Sequence, residues 1–376
     1  MERLHIAFFG PTNSGKSTLV NALAGQQVSL VSPIPGTTTD PVRKIIELPE
    51  LGPCVLIDTA GLGDGSTLGV ERERLTRAIF DETDVAVVIE NAGDSSGGVP
   101  PEPPAPPRSE RSVSIIPALI RNLEAAGIPV VRYTRGESVD SLLRRLVAAA
   151  PREEEKFLTG NLVHAGSSVL LVMPQDSEAP KGRLILPQVQ VLRELLDRGC
   201  VPHSCTPESL QAALDSLSGL PDLVITDSQV FGLVDRSLPK DCPLTSFSVL
   251  LAAAKGDIRT FVAGAGAIDT LKPGSRVLIA EACTHVPDTE DIGRVKIPAL
   301  LRKRVGELTV DVSAGNDFPE DLSPYSLIIH CGACVANARL VRSRIRKALL
   351  AGVPITNYGI ALAALNGILG RIAIPV

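Results

Sequence analysis

Tryptophan is absent from the 376-residue sequence, and aromatic residues make up only 3% of it. Base-stacking platforms for single-stranded nucleic acid need more rings than that. A large charge of either sign is missing too: the net charge is −5, so no overall field draws the chain to nucleic acid or an anionic membrane. Long hydrophobic runs are lacking, because Gly, Pro or charge interrupts each one before it could span a bilayer. The Cys count is seven, an odd number with several members on strand-like runs, which points to a reducing cytoplasm and away from a disulfide scaffold. A glycine loop begins at Gly10, leaving no room for a signal peptide.

What is present is an α/β pattern. Apolar residues are 44% and charged residues 21%, as in a globular protein, and the length exceeds one ordinary core. Strand and helix patterns alternate throughout, the signature of parallel-sheet architecture. "LHIAFFG", "CVLIDTAG", "DVAVVIE" and "IPVVRY" read as strands of a first domain, 1–156, which ends at the charged "PREEEK". "VPPEPPAPPR" (Val99 to Arg108) is too rich in Pro to be helix or central strand and reads as a surface loop. "SSVLLVMP", "CVPHSC" and "DLVITDS" give strands of a second domain, 157–262, with "PLTSFSVLLAAAKGD" as a helix ending near Gly256. "SRVLIAEACTH", "ELTVDVSAG", "YSLIIHCGAC" and "VPITNYG" give those of a third, 263–376. No internal sequence repeat is evident, although all three share the βα rhythm.

"GPTNSGKST" fits G-x-x-x-x-G-K-[ST] between a strand and a helix. In that setting Gly10, Asn13, Ser14, Gly15 and Thr18 line a phosphate cradle, Lys16 reaches the terminal phosphates, and the Ser17 hydroxyl faces Mg²⁺. "DTAG" then supplies Asp58 for Mg²⁺ and Gly61 as a sensor of the terminal phosphate, and "PGTTTD" lies between as a hydroxyl-bearing switch. Each string alone is weak; three in this order are not a chance glycine turn.

These motifs resemble the translation-factor-like GTPases, in the subgroup of Era and the tRNA-modification GTPases. The resemblance implies GTP as ligand, Thr38 as the Mg²⁺-binding switch threonine, and Lys16, Thr38 and Gly61 as the catalytic set. It also implies a monovalent cation, K⁺, on Asn13, since Leu62 stands where a Ras-like enzyme carries its water-orienting Gln. With no internal Gln or Arg finger evident, turnover would be slow. The guanine-reading N-K-x-D string is absent from the chain. In its place follows "TRGE", where Glu137 would accept from the base and Arg135 would pack over it. "NAGD" (Asn91 to Asp94) fits N-x-x-D, one strand too early.

Three metal-capable residues crowd into "HCGAC", and "ACTH" lies 44 residues upstream, giving Cys283, His285, His330, Cys331 and Cys334. Both groups fall at carboxyl ends of predicted strands, where open α/β sheets bind ligands. The helix after Cys334 would aim its N-terminus at the thiols. Four readings follow from the residues. They are an iron–sulfur cluster on three thiolates, a Cys₃His zinc site, a Cys331/Cys334 dithiol and buried bystanders.

A phosphate loop, a middle α/β domain and C-x-H…H-C-x-x-C, with "EDIGRVKIP" and "GVPITNYGIALA", resemble the HydF family, the maturation GTPases of FeFe-hydrogenase. That resemblance covers essentially the whole chain and is weakest from about Asn91 to Lys156. It implies a 4Fe-4S cluster on Cys283, Cys331 and Cys334, with His285 or His330 as an exchangeable fourth ligand. It further implies a di-iron precursor as cargo, dimerisation through about Ala165 to Lys255, and apo-hydrogenase and two radical-SAM maturases as partners. Rival readings are a zinc-containing GTPase acting on ribosome or tRNA, and a degenerate cluster carrier without guanine specificity.

Among the remaining features, Cys54, Cys200, Cys205 and Cys242 read as buried small hydrophobes, with a Cys200, His203, Cys205 zinc site as the sharper alternative. Arg339, Arg342, Arg344, Arg346 and Lys347 read as a solvated helix face, or as a docking face for an acidic partner. His5 and His164 read as structural.

Overall fold

The computed structural model describes residues 3–25, 41–61, 78–90, 111–151, 157–175, 182–282, 291–315 and 317–375. Thr38, Leu62, the "NAGD" string, the Pro-rich stretch, Cys283 and His285 lie outside the described residues. The chain forms two compact units, Met1–Glu153 and Glu154–Val376.

The first unit is built on a five-stranded sheet of β1 (Leu4–Phe9), β2 (Val42–Leu48), β3 (Gly52–Asp58), β4 (Val85–Glu90) and β5 (Val130–Thr134), in the order β2-β3-β1-β4-β5. β1 and β4 lie inside the sheet and are apolar along nearly their whole length, as strands covered on both faces must be. Successive residues feed opposite cores: Ile6, Phe8, Leu56 and Val87 pack on one face, and Ala7, Phe9, Ile57 and Val88 on the other. β2, absent from the sequence reading, alternates half-buried with exposed residues and pairs antiparallel with β3 at the sheet edge.

The second unit holds two four-stranded parallel sheets. One contains β6 (Ser168–Val172), β7 (Val201–Cys205), β8 (Leu223–Thr226) and β9 (Leu244–Ser246), in the order β7-β6-β8-β9. The other contains β10 (Arg276–Ala280), β11 (Thr309–Ser313), β12 (Leu327–His330) and β13 (Ile355–Asn357), in the order β11-β10-β12-β13. One apolar cluster joins them, taking Leu170 and Val224 from the first sheet and Leu278 and Ile328 from the second.

One expectation changes here. "PLTSFSVLLAAAKGD" opens as β9 before the helix Phe247–Lys255 begins, because its first residues pair with β8. The two sheets also repeat one topology, a likeness closer than the shared βα rhythm alone. Strand order is the same, and hydrogen bonds recur: Val224 N–H donates to Pro243 O (2.8 Å) as Ile328 N–H does to Pro354 O (2.9 Å). Met173 N–H donates to Cys205 O (2.9 Å) as Glu281 N–H does to Ser313 O (2.8 Å). With this register "PLTSFSVLLAAAKG" (243–256) falls on "PITNYGIALAALNG" (354–367), sharing Pro, Thr, Leu, two Ala and the final Gly. Among the described residues no helix is long and apolar enough to cross a membrane.

Candidate functional site

Two carboxyl edges carry the chemistry, one in each unit. In the first, β1 runs into the loop Gly10–Gly15 and the helix Lys16–Ala24. The turn needs two left-handed residues, Asn13 (φ 63°) and Gly15 (φ 93°). Lys16 is buried and donates to Gly10 O (3.1 Å) and Pro11 O (2.9 Å), so its ammonium folds back over the loop. Burial pulls its pKa down to about 8, against the neighbouring Asp58 carboxylate, which raises it. The Ser17 hydroxyl donates to Asp58 Oδ2 (2.6 Å), joining the two sequence-predicted Mg²⁺ ligands.

Gly61 sits where the "DTAG" turn meets the loop: a Cβ there would lie 2.7 Å from Thr12 Cα. Thr59, not singled out by sequence, ties that turn to β1 by donating to Phe8 O (2.6 Å). The buried hydroxyls Ser14 Oγ and Thr12 Oγ1 have no hydrogen-bond partner among the described residues. Unpartnered hydroxyls in a loop that opens a helix fit an oxyanion ligand. Thr18 is exposed on the first turn of the helix.

The "TRGE" segment follows β5, which lies parallel to β4 as β4 does to β1, so it shares the carboxyl edge with the phosphate loop. Arg135 is exposed. Glu137 is half-buried, and its Oε1 accepts from Ser141 Oγ (2.7 Å) and from Arg145, both in the helix Val139–Ala149. Those partners, the Ser141 hydroxyl first, hold its carboxyl below the ordinary range. Arg145 is the guanidinium at Glu137.

In the second unit β12 delivers "HCGAC" to the sheet edge. Cys331 and Cys334 are free thiols. Ala333 takes a left-handed φ of 51° to turn the loop between them. Cys331 Sγ accepts the N–H groups of Ala282 (3.1 Å) and Ala333 (3.4 Å). Burial pushes this thiol up, while those N–H donors pull it down. Ala282 is the sequence neighbour of Cys283. Free thiols with N–H donors aimed at sulfur fit thiolate ligation of a metal cluster. Among the described residues no three His, Cys, Asp or Glu side chains form a metal-sized group.

His330 is buried and both its nitrogens are engaged. Cys331 O lies 2.8 Å from Nδ1 and can only accept, so Nδ1 carries the proton. Nε2 therefore accepts from Arg344 (3.1 Å). Burial, then the Arg344 charge, draws its pKa down to about 3 and keeps the ring neutral at ordinary pH. Ligation of a metal through Nε2 would require Arg344 to leave.

Arg344 departs from the solvated face expected of its helix. It is 1% exposed, lies over the Phe318 ring at 5.0 Å and donates to Glu281 O (3.1 Å) and Gly315 O. It thereby ties together the carboxyl ends of β10, β11 and β12. Arg346 and Lys347 of the same helix are exposed. Glu281 is itself buried and holds Arg294 through both carboxylate oxygens (3.0 and 2.6 Å).

A second cation missed in the sequence is Lys255, 5% exposed, which donates to Ala333 O (2.8 Å), Cys334 O (3.3 Å) and Ala336 O (2.7 Å). Its only signal was a charge closing an apolar helix. Cys54, Cys200 and Cys242 are buried, as small hydrophobes are, and Cys205 is half-buried.

Comparison with known proteins gives three family matches. Residues 259–375 match the hydrogen maturase F tetramerization domain, 158–256 the hydrogen maturase F dimerization domain, and 5–105 the 50S ribosome-binding GTPase family. Among curated proteins, the tRNA modification GTPase MnmE of Xanthomonas oryzae pv. oryzae is 43% identical over 93 residues, 24% of this chain and 20% of its own. MnmE of Methylobacterium sp. is 37% identical over 158 residues, 40% of this chain and 34% of its own. The chain thus spans only about a fifth to a third of the length of these relatives. A solved structure of Era from Aquifex aeolicus bound to GDP·AlF4⁻ superposes with a TM-score of 0.31 and 16% identity, over 58% of this chain and 99% of that one. A likeness that low carries no weight by itself.

Proposed function

We propose that this chain, which belongs to the hydrogen maturase F family and carries a P-loop GTPase domain, is a nucleotide-timed scaffold for FeFe-hydrogenase maturation. In this reading its carboxyl-terminal cysteines hold a 4Fe-4S cluster that carries a di-iron precursor to the apo-hydrogenase. The division of labour follows the sequence domains: nucleotide on 1–156, assembly of copies through 157–262, cluster on 263–376. Two radical-SAM maturases are the further partners, in the cytoplasm.

At the first edge the loop N–H groups and Lys16 bind the phosphates of GTP. Ser17, Asp58 and Thr38 would hold Mg²⁺, which neutralises charge on the transferring phosphoryl group. Asn13 would hold K⁺, and Gly61 leaves room for the switch turn to close on the terminal phosphate. Arg135 and Glu137 take the guanine end, and a preference for GTP over ATP of at least tenfold, about 1.4 kcal/mol, is the expectation.

At the second edge Cys283, Cys331 and Cys334 would be the cluster ligands. His285 is the exchangeable fourth ligand favoured by the engagement of His330. The cluster supplies an open iron for cargo. The protein sets the site at the end of the buried strands β10 and β12, holds Cys331 Sγ with two N–H groups, and fixes His330 in one tautomer.

The observation that carries this reading is the free C-x-x-C whose first sulfur already receives two backbone N–H groups. The test is activation of apo-hydrogenase by anaerobically loaded chain. Wild type should activate it and Cys331→Ser should not; equal activation by both would end the reading. Tightly held zinc in place of iron would turn attention to the ribosome or tRNA alternative.

A further inference from the structure

The duplication supplies an internal control for the cysteine edge. Strand pairing sets Thr226 opposite Ser246 and His330 opposite Asn357, so Thr226 corresponds to His330. Counting on, Asp227 corresponds to Cys331, Val230 to Cys334 and Gly232 to Ala336. The thiols therefore belong to one copy only.

The helices after β9 and β13, Phe247–Lys255 and Tyr358–Leu365, cross at corresponding positions. Gly359 N–H donates to Ser248 Oγ (3.2 Å), and a Cβ on Gly359 would meet Ser248 Oγ at 3.1 Å. The two helices therefore touch at equivalent residues. Lys255 reaches Ala336, and its counterpart Asn366 lies against Gly232, where an added Cβ would be 3.1 Å from Asn366 Oδ1.

The two partners differ in charge and burial. Asn366 is neutral, exposed, and turns its amide back to Leu362 O (2.8 Å). Lys255 is buried and matches its three ammonium protons to three carbonyls of the cysteine loop. The Asn366 side packs against the corresponding loop with no charge at all. Burying an ammonium is costly unless its charge is used, and the charged partner faces the copy that bears thiols.

We propose that Lys255 is a positioning residue and countercharge for the cysteine loop. Its ammonium holds residues 333–336 in the turn that presents Cys331 and Cys334, and its charge favours an anionic group on those thiols. Because Lys255 belongs to the half that matches the dimerization domain, assembly through that half would act directly on the cluster loop. The inference rests on the cluster reading given above.

The test is anaerobic reconstitution of the full chain with iron and sulfide, followed by an EPR-monitored redox titration. Wild type, Lys255→Gln, Lys255→Arg and Asn366→Lys are compared. A net positive charge beside a cluster favours its reduced form. Lys255→Gln should therefore hold less cluster or be harder to reduce, by at least a tenfold change in the reduced-to-oxidised ratio, about 59 mV for one electron. Lys255→Arg and Asn366→Lys should stay near wild type. Unchanged cluster content and potential in a folded Lys255→Gln would overturn the proposal, as would Lys255→Arg shifting as far as Lys255→Gln. If Lys255→Gln loses its fold while Lys255→Arg holds the cluster at the wild-type potential, the charge is required and the proposal stands. Loss of fold in both makes Lys255 a structural lysine only and ends it. Wild type that takes up no iron refutes the cluster reading instead, a result distinguishable from all of these.

Discussion

The phosphate edge of the first unit and the cysteine edge of the second solve opposite electrostatic problems with the same architecture. Both lie where parallel strands end, and at the cysteine edge two backbone N–H groups point at Cys331 Sγ. At the phosphate edge Lys16 bonds the carbonyls of Gly10 and Pro11, and a phosphate on the loop would compete for its ammonium. At the cysteine edge Lys255 bonds carbonyls of the cysteine loop, and Arg344 bonds those of Glu281 and Gly315 beside it. A mobile ligand that comes and goes suits a cation it can touch. A resident cluster suits a fixed charge behind its ligands, where its bonds to carbonyls need not rearrange.

Removing Lys16 is the sharpest way to break the comparison. Lys16→Ala should weaken GTP binding by at least a hundredfold, roughly 2.7 kcal/mol, while iron content stays at the wild-type level. Isothermal titration and iron analysis on the same preparation check both halves. A matching loss of iron would mean the two edges are not independent in chemistry.

Arg344→Leu comes next. It strands the carbonyls of Glu281 and Gly315 and the Nε2 of His330, buried acceptors whose loss of partners costs about 1–3 kcal/mol apiece before relaxation. A net loss of about 3 kcal/mol in the second unit is expected, seen as an earlier calorimetric transition with GTP affinity unchanged. An unmoved transition would show that Arg344 does not hold the strand ends together.

These two residues also show where sequence reading stops. "GPTNSGKST", "DTAG" and "HCGAC" are legible because each is a contiguous string whose spacing is dictated by a loop. Arg344 sat among four other basic residues on one helix, and nothing local marks which of them turns inward. Lys255 is assigned by contacts 78 to 81 residues away. The duplication escaped notice because only one strand–helix segment keeps its identities, and the rest survives as register. β2 and β9 were missed for a different reason: one is an edge strand with an alternating pattern, the other only three residues long.

The smallest effect is a pH trend at the phosphate edge. The Lys16 pKa of about 8 lies below the ordinary 10.5, so between those values the unfolded chain binds more protons than the folded one. Stability of the nucleotide-free first unit should therefore rise gently with pH across that window. GTP affinity should fall over the same range, since the neutral amine no longer attracts phosphate. Thermal melts at pH 7.5 and 9.5 should rise with pH without GTP and stay level with saturating GTP, which restores the Lys16 proton. Parallel movement would place the titrating group elsewhere.

The proposed function joins an iron–sulfur cluster at the cysteine edge to nucleotide turnover at the phosphate edge. Its most direct test is anaerobic reconstitution with EPR of the reduced protein for wild type, Cys283→Ser, Cys331→Ser and Cys334→Ser, with GTP turnover measured alongside. A cubane signal is expected in wild type, lost in all three variants, with unchanged turnover throughout. A wild-type protein with no cluster, or a cluster that survives Cys331→Ser, would contradict the proposed function.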